Sequence, residues 1–210
     1  SQGYKGPAFN VFYNMSEKDT LPISEETSDA YELGYKYATN DLIINAAIFR
    51  TEIDGFQANN PEILDGVFIT RLTNAGSVIS EGIEMDFIWQ ATDNLNLYGG
   101  FASVDAEVDE FKCPVGLDSC DGRSGADLPF SPDLKYSLAG DYTWELDGMN
   151  VILNASYVYT DEIFAGGPGA TAETTPEAVL PSYGMLNASL AFSWEDDMYR
   201  VSLIGKNLAD

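Results

Sequence analysis

The feature that most constrains this chain is a strict two-residue alternation in the stretch 67–111, VFITRLTNAGSVISEGIEMDFIWQATDNLNLYGGFASVDAEVDEF. Ile83, Met85, Phe87 and Trp89 fall on one face, and Glu84, Asp86 and Gln90 on the other. Strand side chains point to opposite faces in turn, so the pattern specifies a sheet with one apolar and one polar side. ATDN (91–94) turns the chain at once, and a second strand sends out Leu95, Leu97, Gly99 and Phe101. That is a tight hairpin.

The same period recurs along the chain. Strands are predicted around 4–13, from Ser28, over 42–57, over 67–91 as one unusually long strand, and over 95–111. Further strands are predicted from Leu134 to Trp144, over 151–160, over 184–194 and from Tyr199. Tight turns are expected at 39–41, 91–94, 145–149 and 195–197, and long loops at 58–66, 112–132 and 164–181. No segment shows a helical period. The fold class is all-β: about eight antiparallel strands, each joined to its neighbour.

Charge narrows the function. The 34 acidic residues outnumber the 10 basic ones, for a formal charge of -24. Such a field repels phosphate backbones and argues against nucleic acid as a partner. No apolar run approaches the ~18 residues that a spanning helix requires. The opening SQGYKGPAFN lacks the cationic-then-apolar order of a secretion signal, and the chain ends at KNLAD without a terminal signature. It is expected to be a segment of a longer protein. Its two cysteines, Cys113 and Cys120, share the loop CPVGLDSC. This spacing suggests a local disulfide and an oxidising compartment, with two free thiols as the alternative. A metal site would want more Cys or His nearby, and the chain has no His.

Periodicity cannot say whether the apolar face points into a core or out into lipid, but three features agree on lipid. Short turns alternate with long loops, as in outer-membrane barrels. Aromatics crowd the short-turn ends: Tyr37, Trp89, Tyr142, Trp144, Phe192, Trp194 and Tyr199. Amphipathic rings at one height are expected at a membrane interface. The opposite face carries small polar residues with Glu32, Lys36, Glu84, Asp86, Lys135, Asp141 and Arg200, a composition suited to lining a lumen. A small closed barrel could not pack so many rings inside, whereas a lipid-facing wall can carry them.

Five short pieces then carry a family resemblance: GYKGPAFN (3–10), SEETSDAYELGYK (24–36), NAGSVISEGIEMD (74–86), LPFSPDLKYSLAGDY (128–142) and GKNLAD (205–210). In this order and spacing, covering nearly the whole chain, they resemble the C-terminal part of the barrel of TonB-dependent outer-membrane receptors. The resemblance implies a partial barrel domain over 1–210, a piece of an antiparallel transmembrane barrel of about twenty-two strands. The family's TonB box and plug domain have no counterpart here, and neither does the aromatic-ended last strand. The resemblance further implies a Gram-negative outer-membrane location and active uptake of a scarce ligand. An iron–siderophore complex is the family expectation; sugar, cobalamin and haem are the other ligands. TonB would act through the N-terminal region, and lipid and lipopolysaccharide would contact the wall. It implies no cofactor.

Family ligands meet the outer loops and upper lumen, which makes Phe130, Phe164 and Tyr183 candidate stacking groups; unspecific loop packing is the competing explanation. Asp105, Glu107, Asp109, Glu110, Asp118 and Asp121 could in principle hold a hard cation. They lack EF-hand spacing, and solvated charge or cation bridging to lipopolysaccharide explains them better. Glu84 and Asp86 share a face as an acid/base pair would, yet a polar lining accounts for both. A passive porin or a structural outer-membrane barrel is the alternative reading. A hydrolase is disfavoured, since the chain has neither a His base nor a G-x-S-x-G elbow.

Overall fold

The computed structural model describes residues 1–9, 22–64, 67–113, 123–166, 172–173, 175–195 and 198–209, except for the side chains of 60–64, 68 and 69. Its strands are β1 (Gln2–Lys5), β2 (Glu26–Ala38), β3 (Leu42–Asp54), β4 (Gln57–Leu64), β5 (Val67–Asn74), β6 (Gly76–Thr92) and β7 (Leu95–Phe111). They continue as β8 (Ala126–Asp127), β9 (Leu134–Leu146), β10 (Met149–Thr160), β11 (Ile163–Phe164), β12 (Val179–Leu180), β13 (Tyr183–Trp194) and β14 (Tyr199–Gly205). Among the described residues no helix is long and apolar enough to cross a membrane.

The main sheet runs β1-β2-β3-β6-β7-β9-β10-β13-β14 with β8 beside β7, and every neighbour pairs antiparallel. This is the expected meander of neighbours. It is an open wall: β1 and β14 stand at its edges and do not pair.

The expected loop at 58–66 is instead strand. β4 and β5 pair from Gln57↔Asn74 to Leu64↔Val67 and extend the β3–β6 ladder into one tall hairpin. Neither residue alternation nor the proline marks this in the sequence; an edge strand tolerates Pro, and β4 pairs only with β5. The single strand expected over 67–91 is interrupted at Ala75, and the one over 42–57 ends at Asp54. At this kink the Phe56 N–H donates to the Gly76 carbonyl at 2.9 Å, and the Ala75 N–H to the Phe56 carbonyl at 2.7 Å. Gly76 has φ 133°, and a Cβ there would overlap the Glu110 carbonyl oxygen. Only glycine suits both conditions. Of the strand expected at 4–13, β1 covers Gln2–Lys5, and residues 10–13 lie outside the described part.

Amide side chains lock the tall hairpin to the β1–β2 region. Asn74 Nδ2 donates to the carbonyls of Ser24 at 3.0 Å and Gly55 at 2.6 Å, and its Oδ1 accepts from the Ser24 N–H at 2.8 Å. Its ladder partner Gln57, buried, donates from Nε2 to the Gly6 and Ser24 carbonyls at 3.1 and 3.0 Å. A buried amide left unpaired would be costly, so these bonds fix where the hairpin stands.

The register also sets the strand tilt. Leu42 lies opposite Trp89, three residues short of the β6 end; Leu95 lies opposite Tyr142, four short of the β9 end; Met149 lies opposite Trp194, at the β13 end. With ~3.4 Å per residue and ~4.8 Å between strands, holding the short turns level requires a tilt of about 40°. Barrels tilt their strands by roughly 35–45°. The stagger is that of a barrel wall.

Candidate functional site

One face of this wall is greasy and unpartnered. Tyr31, Leu33, Tyr35, Ile48, Ile83, Leu138 and Leu203 are all more than half exposed, while only Ala75, Val78, Ala106, Phe164 and Ala191 form a buried apolar set among the described residues. Water would penalise so large an apolar surface. Its lower edge is aromatic. Tyr37, Trp89, Tyr142, Trp144, Phe192, Trp194 and Tyr199 lie on this face within four residues of a short turn. Trp194 stacks on Tyr199 with centroids 5.8 Å apart, and Tyr142 meets Trp144 at 4.5 Å.

The face also has an upper edge, which sequence reasoning missed. Tyr136 stacks on Tyr159 at 5.1 Å and meets Tyr157 at 6.1 Å. At similar height Arg50 pairs with Glu52 at 2.8 Å and with Glu81, whose ladder partner is Asp105. From Tyr136 to Leu146 is ten residues, or about 26 Å of height at a 40° tilt, against ~25 Å for the apolar band of outer-membrane barrels. Alternation puts Asp105 and Glu107 on this apolar face and makes Asp109 the extra residue of a bulge, bonded by the Ser77 hydroxyl at 2.9 Å. Asp118 and Asp121 lie outside the described residues. Among those described, no three Asp, Glu or Cys side chains converge as a metal site.

The other face is polar at mid-height. Glu32, Lys36, Glu84, Asp86 and Lys135 line one recess of about 610 Å³ with Asn45 and Ser137. Asn45 Nδ2 donates to Asp86 at 2.8 Å. Asp141 sits in a second recess of about 510 Å³ and accepts from Asn96 Nδ2 and the Tyr98 hydroxyl, both at 2.9 Å. Arg200 is apart from both, on the edge strand β14 opposite Ser193. Asp86 and Asp141 are thus held by amides and a phenol. That is a hydrogen-bonded wall.

Toward the long loops the same face turns apolar. Val78 shares the alternation of Glu84 and Asp86, and its ladder partner is Val108. Together with Phe56, Phe111, Leu128 and Phe130 they line a pocket of about 410 Å³. The segment after residue 122 covers it: Gly125 and Leu128 N–H groups donate to Val108 and Ala106 carbonyls at 2.6 and 2.7 Å. Of the three candidate stacking groups, Phe130 lies here and is 70% exposed. Its N–H donates to the Phe164 carbonyl at 2.8 Å, but the Phe164 ring is buried and packs the loop base. Tyr183 is half-exposed on the polar face opposite Thr160, away from this pocket. Burial and neighbouring Asp127, Asp105, Asp161 and Glu162 push the Asp133 carboxyl above its usual range. Cys113 has no free thiol, and Cys120 lies outside the described residues.

Residues 1–208 match the sequence model of a family described as TonB dependent receptor-like, beta-barrel. The pesticin receptor of Yersinia enterocolitica serotype O:8 is 32% identical over 90 residues, covering 43% of this chain and 13% of that receptor. The ferric yersiniabactin uptake receptor FyuA from Yersinia pestis superposes with a TM-score of 0.72 at 21% identity, over 99% of this chain and 28% of its own. The siderophore receptor PiuA from Acinetobacter baumannii gives 0.66 at 24% identity, over 90% and 25%. The matched parts thus span only 13% to 28% of the length of these proteins.

Proposed function

The chain belongs to the TonB-dependent receptor β-barrel family, and from that premise we propose that it is a wall-and-loop segment of a receptor that actively imports an iron–siderophore complex. The apolar face is the lipid-facing wall of a Gram-negative outer membrane. The lower aromatics and the Tyr136–Tyr159 edge sit at its two interfaces, and the charges around Arg50 meet lipopolysaccharide. The polar face lines the lumen. The long-loop end, with Phe130, faces the outside and meets the ligand, and a Cys113–Cys120 disulfide closes the loop there. TonB engages a part of the receptor outside this segment.

The single observation that carries this reading is the apolar band of about 26 Å, aromatic at both edges, backed by a polar face. Only a barrel wall needs that combination. The names of the matched relatives support the ligand class, since each is called a receptor and two are named for siderophores or their ferric complexes. The test is uptake of radiolabelled ferric siderophores by cells expressing the complete gene product, with and without TonB, grown with and without iron. Iron-repressed expression with TonB-dependent uptake supports the proposal. Iron-indifferent expression with TonB-independent flux would replace it with a porin.

A further inference from the structure

We propose that the Leu128–Ser131 turn is a two-state switch, a peptide flip that couples the 123–131 segment to β11. The uptake reading does not require it; the switch concerns how two segments at the long-loop end of the wall move together.

The turn type follows from its two central residues. The Ser131 N–H donates to the Leu128 carbonyl at 3.3 Å, closing a four-residue turn around Pro129 and Phe130. Proline keeps its φ at about −65°, which excludes the primed turns, and φ 66° at Phe130 leaves type II. The third position of a type II turn calls for glycine or asparagine. For a residue with a side chain, the left-handed backbone there lowers the population by a factor of roughly five to thirty. Packing does not repay Phe130, whose ring is 70% exposed. A bond outside the turn does: the Phe130 N–H donates to the Phe164 carbonyl at 2.8 Å. One neutral hydrogen bond supplies a factor of about two to ten, so the strained state and a relaxed one lie close in free energy.

The relaxed state is type I. Rotating the Pro129–Phe130 peptide takes Phe130 to a φ of about −90°, suits proline equally well, and keeps the Ser131–Leu128 bond. The rest of the segment can stay on β7, where the Gly125 and Leu128 N–H groups donate to the Val108 and Ala106 carbonyls. The flip reverses the peptide, however. The N–H leaves Phe164 and the Pro129 carbonyl takes its place, so two acceptors face each other and β11 must draw back or admit water. That displacement is transmitted. The Phe164 ring is buried, and a Cβ on Gly166 would overlap it. Ile163 and Phe164 pair with Leu180 and Val179, and the Ala165 N–H donates to the Ala178 carbonyl at 2.8 Å. Leu128, Pro129, Phe130, Ala165 and Gly166 all line the loop-end pocket, so its shape changes with the flip.

The test separates backbone strain from the ring by comparing Phe130→Gly with Phe130→Ala. Both lose the ring, and only glycine relieves the left-handed cost. Hydrogen exchange of the complete receptor in lipid nanodiscs is read by mass spectrometry with residue-resolving fragmentation, as protection relative to intrinsic rates. Phe130→Gly should be about fivefold or more better protected than Phe130→Ala at residue 130, and in the same direction at Ala165. Wild type should follow Phe130→Ala, and the β9–β10 amides should be unchanged in both. Equal protection in the two variants would overturn the switch. A gain confined to 128–131 with Ala165 unmoved would overturn the coupling, and with it the proposal.

Discussion

Replacing Leu190 with arginine, and its neighbour Ser189 likewise, asks which face of the wall meets lipid. Leu190 lies four residues above the end of β13, about 10 Å up a band of about 26 Å, and so near its middle. Its ladder partners are Leu153 and Leu203, leaving no polar group on either side for a guanidinium. An arginine at such a depth in an outer-membrane barrel costs ~2–4 kcal/mol, equivalent to a folding constant about 30- to 800-fold smaller. Ser189 points to the other face, accepting a bond from Asn154 Nδ2 at 3.4 Å with Ala188 and Leu190 turned away. Arginine there enters a wet lumen and should cost less than about 1 kcal/mol. The assay is guanidinium unfolding and refolding of the complete receptor in phosphatidylcholine vesicles, followed by tryptophan fluorescence. A Ser189→Arg penalty equal to or larger than that of Leu190→Arg would refute the reasoning, because it would put the apolar face inside.

Three further outcomes follow from particular contacts. Asn74→Ala removes three hydrogen bonds to Ser24 and Gly55, and should cost about 1–3 kcal/mol locally, read as faster hydrogen exchange around Ser24 and Gly55 with the β9–β10 amides unchanged. Gly76→Ala should displace the tall hairpin and cost more than about 1 kcal/mol by the same unfolding assay, since the new methyl meets the Glu110 carbonyl. Asp133 holds its proton more tightly folded than unfolded, so its charge opposes folding at neutral pH, and the loss is relieved as pH falls through the raised value. Asp133→Asn should therefore stabilise the receptor near pH 7 and make no difference below an ordinary carboxylate pKa of about 3.9, as followed by melting temperature against pH.

Much of the wall was legible because its signal is local. Alternation marked β7 at both ends, the starts of β9 and β14 and the end of β13, since each side chain there reports one face directly. What escaped depends on contacts remote in sequence. The β4–β5 hairpin has no clear alternation and owes its place to Gln57 and Asn74 reaching back to Gly6 and Ser24. The upper aromatic edge was invisible because heights can be compared between strands only once the register is known. The lumen face was read as polar throughout, and Glu84 and Asp86 justify that at mid-height. Val78 obeys the same parity, yet it is buried under a loop whose course no local pattern predicts. Phe130 was singled out for its loop position, and the cavity beside it follows from the fold.

The most direct test of the central claim is a nitroxide scan along β13 of the complete receptor in bilayers, measuring relaxation by oxygen and by a water-soluble nickel chelate at each position. The account predicts alternation. Labels at 186, 188, 190 and 192 should favour oxygen, which concentrates in lipid, with the largest contrast near 188–190, whereas labels at 185, 187, 189 and 191 should favour nickel. The opposite phase, or no alternation between the two sets, would contradict it.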